Sequence, residues 1–316
     1  MKPFRLLVRH MSKRFFELCH ELGYLAGQAP AQLQGDGDGD GDGDGPWSAH
    51  MTMYEVGVEL VCEAEATERL YSRVHFGPMP PRDEEAQWGD LLEANFLLLD
   101  PSGAVFSRDP QTHDVVLQQS WPADTQPQVL LRVLETQCEA AGNWRAGNLI
   151  AAYLPAQQQR MALAAIPKPV AGQSPSTAFA GLCERFSTAL GLPGLAVQSL
   201  PSGVSSFLLE ARGVQVQVSH MAPMPAWLHL HADIGAAHTF HPRAAAELAE
   251  ANAWMLNLTS GAVICRRPIT RDYVLRTCMA LDTHMPPLQL LAGIRTQVGA
   301  VLSIRENLAA AFASAV

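Results

Sequence analysis

The sequence lacks the long apolar runs that membrane insertion and secretion require. No stretch approaches the ~20 apolar residues of a transmembrane helix. The N-terminus is basic and amphipathic, but Arg5, Arg9, Lys13 and Arg14 interrupt it before it reaches signal-peptide length. We therefore expect a cytoplasmic protein that does not insert into a membrane.

Basic charge and paired cysteines are also scarce. The formal net charge is −9, so nucleic acid is not an expected partner, because binding to phosphates requires clustered lysine and arginine. The six cysteines include no Cys-x-x-Cys pair, and a chain of 316 residues can bury enough core to fold without disulfides. We expect the cysteines to be reduced and mostly buried.

The usual catalytic and nucleotide-binding signatures are missing as well. The sequence contains no G-x-S-x-G, P-loop or G-x-G-x-x-G motif. The paired carboxylates Glu84 and Glu85 are explained by the positive end of the helix that they begin. One pattern could bind a metal, because His229, His231 and Asp233 alternate and would share one face of a strand. A metal-dependent hydrolase is a remote alternative; otherwise we expect no enzyme, no metal and no cofactor.

What the sequence does contain is an internal repeat. Leu92–Asn95 returns as Ala249–Asn252, and Ser102–Val105 returns as Ser260–Val263, at offsets of 157 and 158 residues. The offset of 158 aligns four further pairs of identical residues, which are Arg108 with Arg266, Pro110 with Pro268, Thr112 with Thr270, and Asp114 with Asp272. Collinear matches of this kind indicate two copies of one domain.

The repeat sets the domain boundaries. We predict a first domain at 1–154, a proline-containing linker at 155–176, and a second domain at 177–316. The first copy alone contains a Gly-Asp run at 35–45. Calcium-binding repeats of glycine and aspartate also need regularly placed apolar residues, which this run lacks, so we interpret it as a disordered loop.

Each copy shows the same order of predicted elements, α-β-β-β-α-β-β-α, which is typical of an α+β fold. The first helix is predicted at 11–24 and 176–190, and the last at 127–148 and 286–307. Between them, alternation such as that of Val56–Cys62 predicts antiparallel strands with one wet face.

The repeat also bears on the histidine motif. Tyr71, Arg73 and His75 occupy the equivalent positions in the first copy, and this set of residue types does not suggest a metal site. We therefore interpret both sets as the solvent-facing side of a strand.

The element order and three short blocks resemble the class I type III secretion chaperones of the CesT/Tir chaperone family. The blocks are Glu93–Phe96, the turn at 102–104 and the strand Val115–Gln118, and the resemblance runs twice along the chain. It implies a non-enzymatic cytosolic protein of Gram-negative bacteria, normally a homodimer. Such a protein binds the N-terminal segment of a secreted effector in extended form and keeps it soluble and export-competent.

In this tandem chain the two copies would replace the two subunits, giving an intramolecular pseudo-dimer of twisted antiparallel sheets that can remain monomeric. The apolar faces of the first helix and the strands are the expected partner-binding residues, although the same pattern is typical of core residues. They are Phe15, Leu18, Leu22, Val58, Phe179, Leu182, Phe186 and Val216. The resemblance further implies that the second helices join the copies, through Trp88, Leu91, Leu92, Phe96, Leu248 and Asn252.

Two partner classes remain open at this stage. The leading hypothesis is a secreted effector. The alternative is an adaptor on the same fold that binds a component of the secretion apparatus, such as its ATPase or a sorting protein, or a regulator.

Overall fold

The structure is a computed structural model of two compact units, and the units do not follow chain order. One unit comprises Met1–Arg82 with Ser102–Pro155, and the other comprises Asp83–Pro101 with Ala156–Val316. A helix from the first copy therefore groups with the second copy. The structure describes residues 2–27, 32–35, 47–62, 69–80, 83–97, 104–122, 124–147, 177–192, 195–200, 203–222, 224–258, 261–282 and 284–315. The predicted linker and residues 36–45 of the Gly-Asp run lie outside these ranges.

The first unit contains a six-stranded antiparallel sheet with the strand order β1-β2-β3-β4-β6-β5. Its elements are α1 (Lys2–Leu25), β1 (Gln32–Gly35), β2 (Trp47–Met53), β3 (Val56–Cys62), β4 (Arg69–Gly77), β5 (Val105–Arg108), β6 (Val115–Pro122) and α3 (Pro127–Arg145).

The core of the first unit lies between α3 and the sheet. Leu130, Leu134, Cys138 and Ala141 recur at helical spacing and are all buried. Helix α3 packs against β4 and α1. The alternation of β3 buries Val56, Val58, Leu60 and Cys62, as predicted for a strand with one core-facing side, although Val61 is buried as well.

The second unit repeats this architecture with the strand order β11-β12-β10-β9-β8-β7, also antiparallel. Its elements are α2 (Glu84–Leu97), α4 (Thr177–Leu190), β7 (Gln198–Ser199), β8 (Val204–Ala211), β9 (Val214–Met221), β10 (Trp227–Ala236), a 3-10 turn (Ala237–Thr239), α5 (Ala244–Leu258), β11 (Val263–Arg266), β12 (Asp272–Ala280) and α6 (Pro287–Ala315).

The predicted α+β class and the two sheet-and-helix units are confirmed, with one addition in each copy. An extra strand, β1 or β7, precedes the three predicted strands. These strands have only four and two residues, rich in Gln, Ser and Gly, so no alternating apolar pattern marked them. No helix in the described part of the chain is long and apolar enough to cross a membrane.

Candidate partner-binding site

The eight predicted partner-binding residues all lie in the interior. Phe15, Leu18, Leu22, Val58, Phe179, Leu182, Phe186 and Val216 are each at most 7% exposed. In the second unit Phe207 of β8 lies among them, since its ring centroid is 6.2 Å from that of Phe179 and 5.9 Å from that of Phe186. These side chains form the cores, and direct contact with a partner remains a prediction.

Helix α2 packs against α5 and β11 within the second unit. Of the residues expected to join the copies, Trp88, Leu91 and Leu92 on α2 are buried, as is Leu248 on α5. Asn252 fastens α5 to β11, because its side-chain Nδ2 donates to the Ile264 carbonyl (3.0 Å) and its Oδ1 accepts from the Ile264 amide (2.7 Å). The structure therefore gathers α2 and α5 into one unit.

Opposite charges line the contact between α2 and the second sheet. The Arg266 guanidinium of β11 lies 2.8 Å from the Asp90 carboxylate and 3.5 Å from that of Glu93. Arg271 pairs with Glu93 at 3.3 Å. Arg266 is largely buried whereas Arg271 is exposed. Because water screens exposed ion pairs, the ion pairs of Arg266 contribute more to stability than those of Arg271.

Gly89 allows this arrangement on α2. A Cβ atom at Gly89 would overlap the guanidinium of Arg266. The absence of a side chain at Gly89 therefore lets the arginine lie against the helix backbone and reach Asp90. The sequence did not predict this role, because a glycine inside a helix ordinarily only lowers the stability of that helix.

Glu85 has a different role from the one predicted. Its carboxylate accepts hydrogen bonds from the Ala245 amide (2.6 Å) and the Ala246 amide (3.4 Å), at the start of α5. It therefore satisfies free N–H groups of another helix, and the explanation by its own helix is incomplete. Burial raises the pKa of Glu85, although the two amides act in the opposite direction.

The interpretation of the histidine motif as a solvent face is wrong. His229 is completely buried, and the His231 ring lies 5.6 Å from the Phe96 ring, measured between centroids. Burial lowers the pKa of His229 to about 4 and that of His231 to about 3, and the charge of Arg276 adds to both shifts. The sequence of the second copy alone could not reveal this, because Phe96 belongs to the first.

The geometry around the motif does not assemble a metal site. Among the described residues, no group of three or more His, Cys, Asp or Glu side chains lies close enough to hold a metal ion. His231 faces Arg276 across the β10–β12 pair, and His229 Nδ1 lies 3.4 Å from the Cys278 sulfur. In the first unit the equivalent Tyr71 is also buried, whereas Arg73 and His75 on the same side of the strand are half-buried.

The second sheet exposes one edge that the sequence did not predict. Strand β7 pairs only with Ser205 and Ser206 of β8. Among the described residues no strand pairs with the outer edge of the rest of β8, from Phe207 to Ala211. Leu208, the second residue of this edge, is 58% exposed. Unpaired backbone groups beside an exposed leucine are suited to accept an extended chain.

The comparisons with known proteins agree with one copy of the repeat. Residues 48–145 match the model of the Tir chaperone protein (CesT) family, and the match runs from β2 to the end of α3. A search of curated proteins found no significant match. The family model confirms the resemblance and supports a general role in type III secretion as a chaperone, which is a non-enzymatic role. Residues 48–145 of the chain thus carry the similarity to the Tir chaperone protein (CesT) family.

Proposed function

We propose that the chain is a tandem type III secretion chaperone of the bacterial cytoplasm. It binds the N-terminal segment of a secreted effector in extended form and keeps that segment soluble and export-competent. The family match supports the chaperone role, and the open edge of β8 is the single observation that supports an extended partner. We further propose that the two copies replace the subunits of a homodimer.

An extended segment satisfies the requirements of this edge. Its backbone would continue the sheet beside Phe207–Ala211, so that amide and carbonyl groups of both chains are paired. Its apolar side chains would cover Leu208. An effector segment that is disordered before binding gains in this way a template that fixes its conformation.

The buried predicted residues support the edge from beneath. Phe207 points into the core next to Phe179 and Phe186, and its neighbour Leu208 points outward, because successive residues of a strand alternate. We propose that Phe179, Phe186 and the other residues of the predicted set in the second unit position the binding strand, so their part in partner binding is indirect.

Co-expression tests the function and a single substitution tests the edge. The full chain is expressed with effectors encoded beside its gene, and we expect a soluble complex that purifies without nucleotide. Leu208→Asp places a charge on the proposed apolar contact, so the effector should bind at least about tenfold more weakly, since burying a charge without a partner is unfavourable. The fold should persist because Leu208 is exposed.

Leu288→Asp is the matched control, because Leu288 is a similarly exposed leucine on α6, 71% exposed. It should bind the effector like the unmodified chain. Equal binding by Leu208→Asp would refute the β8 site. Recovery of no effector would refute the function, and recovery of a secretion-apparatus component instead would favour the adaptor.

A further inference from the structure

The two sheets allow a position-by-position comparison of their binding edges. Strands β2 and β3 meet with Met53 opposite Val56, and strands β8 and β9 meet with Ala211 opposite Val214. The constant offset of 158 between these pairs makes β2 the counterpart of β8. Ala49 and His50 are therefore equivalent to Phe207 and Leu208.

The equivalent edges are covered to different extents. In the first unit β1 pairs with β2 over four positions, with Gln32 opposite His50 and Leu33 opposite Ala49. In the second unit β7 stops at Ser206. Two of the four positions that β1 covers on β2, Ala49 and His50, are therefore equivalent to Phe207 and Leu208, with which no strand pairs on this side among the described residues. The other two positions that β1 covers are equivalent to the two that β7 covers.

The pairing of β1 has the features of a contact that a partner can replace. The strand is only four residues long, with the sequence Gln-Leu-Gln-Gly, and Gly and Gln are not strong strand formers. Eleven residues, 36–46, connect it to β2, among them five aspartates alternating with glycine. Closing a connection of that length and composition costs entropy, which lowers the net stability of the pairing.

We infer that β1 is a built-in occupant of the partner edge of the first unit. The two edges are then unequal at these two positions: among the described residues the β8 edge is unpaired from Phe207 onward, whereas the β2 edge becomes available at Ala49 and His50 only when the partner displaces β1. The inference rests on the proposed function, because it gives the second copy the first contact with the effector segment. It also assigns a role to the segment before β2 that has no counterpart of equal length in the second copy.

A peptide copied from the chain itself tests this without an identified effector. The probe is a fluorescent peptide of residues 30–36, and binding is followed by anisotropy in full chains that carry Leu208→Asp to silence the β8 edge. Replacing Gln32, Leu33 and Gln34 by proline removes the strand amides and prevents β1 from pairing. This variant should bind the peptide at least about tenfold more tightly than its parent, because β1 no longer competes at the high effective concentration of a tethered segment.

Three further variants make the result decisive. Proline at Asp38, Asp40 and Asp42 introduces the same number of prolines outside β1 and should not increase peptide binding. A cysteine pair at Gln32 and His50, which lie opposite each other, should fix β1 when oxidised, abolish peptide binding at this edge and restore the parent's behaviour on reduction. A pair at Thr52 and Gly57, opposite each other in β2 and β3, is the control for oxidation itself.

The outcomes separate this inference from the proposed function. If the β1 proline variant binds the peptide no better than its parent, the inference is wrong even if an effector co-purifies. If the peptide binds as expected but no effector is found, the inference about β1 is supported and the proposed chaperone function is refuted. With an effector segment in hand, native mass spectrometry should show one segment on the unmodified chain and two on the proline variant without Leu208→Asp.

Discussion

Each of the two units uses one arginine to donate hydrogen bonds to three backbone carbonyls at equivalent places in the fold. At the end of α3, Arg145 donates to the carbonyls of Glu55 (2.7 Å), His75 (2.9 Å) and Phe76 (3.2 Å). At the equivalent point of α6, Arg305 donates to the carbonyls of Gly213 (3.1 Å), Asp233 (2.9 Å) and Ile234 (2.8 Å). Each guanidinium thus ties a helix to a hairpin turn and to the irregular end of a strand.

The carbonyls become available through matching irregularities. The register shifts between His75 and Gly77 in β4, and between Asp233 and Gly235 in β10. Both glycines have positive φ, 95° and 144°, a backbone conformation that glycine adopts readily. At Gly235 a Cβ atom would also meet the Phe240 ring at 3.0 Å. The two copies therefore share not only their elements but also the irregularities that position them.

The units differ where they meet other chain segments. Among the described residues, β1 pairs with β2 from Trp47 to His50, whereas β7 pairs with β8 only at Ser205 and Ser206. On β10 the buried face carries His229, where β4 carries Tyr71. The comparison teaches that the shared features maintain the fold, whereas the differences lie at the edge proposed for a partner and on the face where another helix packs.

Matched core truncations would test the equivalence most strongly. Leu130→Ala in α3 and Leu290→Ala in α6 each remove a side chain that is 0% exposed. Each should lower the free energy of unfolding of its own unit by about 3 kcal/mol, from lost burial and the cavity left behind. Residue-resolved hydrogen exchange measures the two units separately. Costs that differ by more than about 2 kcal/mol would show that the two cores are not packed alike.

We expect acid to affect the stability of the two units differently, because the second unit buries His229 where the first buries Tyr71. The folded pKa of His229, about 4, is below the ordinary value of 6.5, so the unfolded chain takes up the proton first as the pH falls. Stability is full above pH 6.5 and is lost between pH 6.5 and 4, by roughly 2 kcal/mol at pH 5 for this group. Urea unfolding at pH 7 and pH 5 measures the loss.

A pair of glutamine variants identifies the source of that loss. His229→Gln should reduce the pH dependence of stability, whereas His50→Gln, at an exposed position on β2, should leave it intact. If His229→Gln retained the full loss at pH 5, the buried imidazole would not be its source. The raised pKa values of Asp233 and Glu85 act in the opposite direction, because the folded chain takes up these two protons more readily than the unfolded chain does. The difference between the two variants is therefore more informative than the absolute slope of stability against pH.

The smallest expected effect comes from the paired arginines. Arg145→Met and Arg305→Met keep the aliphatic part of the side chain but remove the three carbonyl contacts, so each should cost about 1 to 2 kcal/mol of unfolding free energy. Arg132→Met, at an exposed position on α3, should change stability by less than about 0.5 kcal/mol. Urea midpoints compare the three variants. A loss at only one of the two paired sites would break the parallel between the units.

Periodicity and repetition were enough to predict the helices, the long strands and the antiparallel sheets. They failed where the deciding partner is distant in the sequence or the element is very short. His229 has the alternation of a wet strand face, but its side chain is buried, and Phe96 from the other copy lies beside His231. Likewise β1 is a four-residue strand with no alternating apolar pattern, identified only by its pairing with β2, and the role of Glu85 is seen only when α5 is placed beside it.

The grouping of α2 with the second sheet also sets an order of events during synthesis. The ribosome completes this helix at Leu97, but β11, against which it packs, begins at Val263. At ordinary translation speed, roughly 5 to 20 residues per second, the helix precedes its packing surface by roughly 8 to 33 seconds. Throughout that interval Trp88, Leu91 and Leu92 cannot reach their final packing. During this interval the nascent chain therefore contains apolar side chains that only the completed protein can bury.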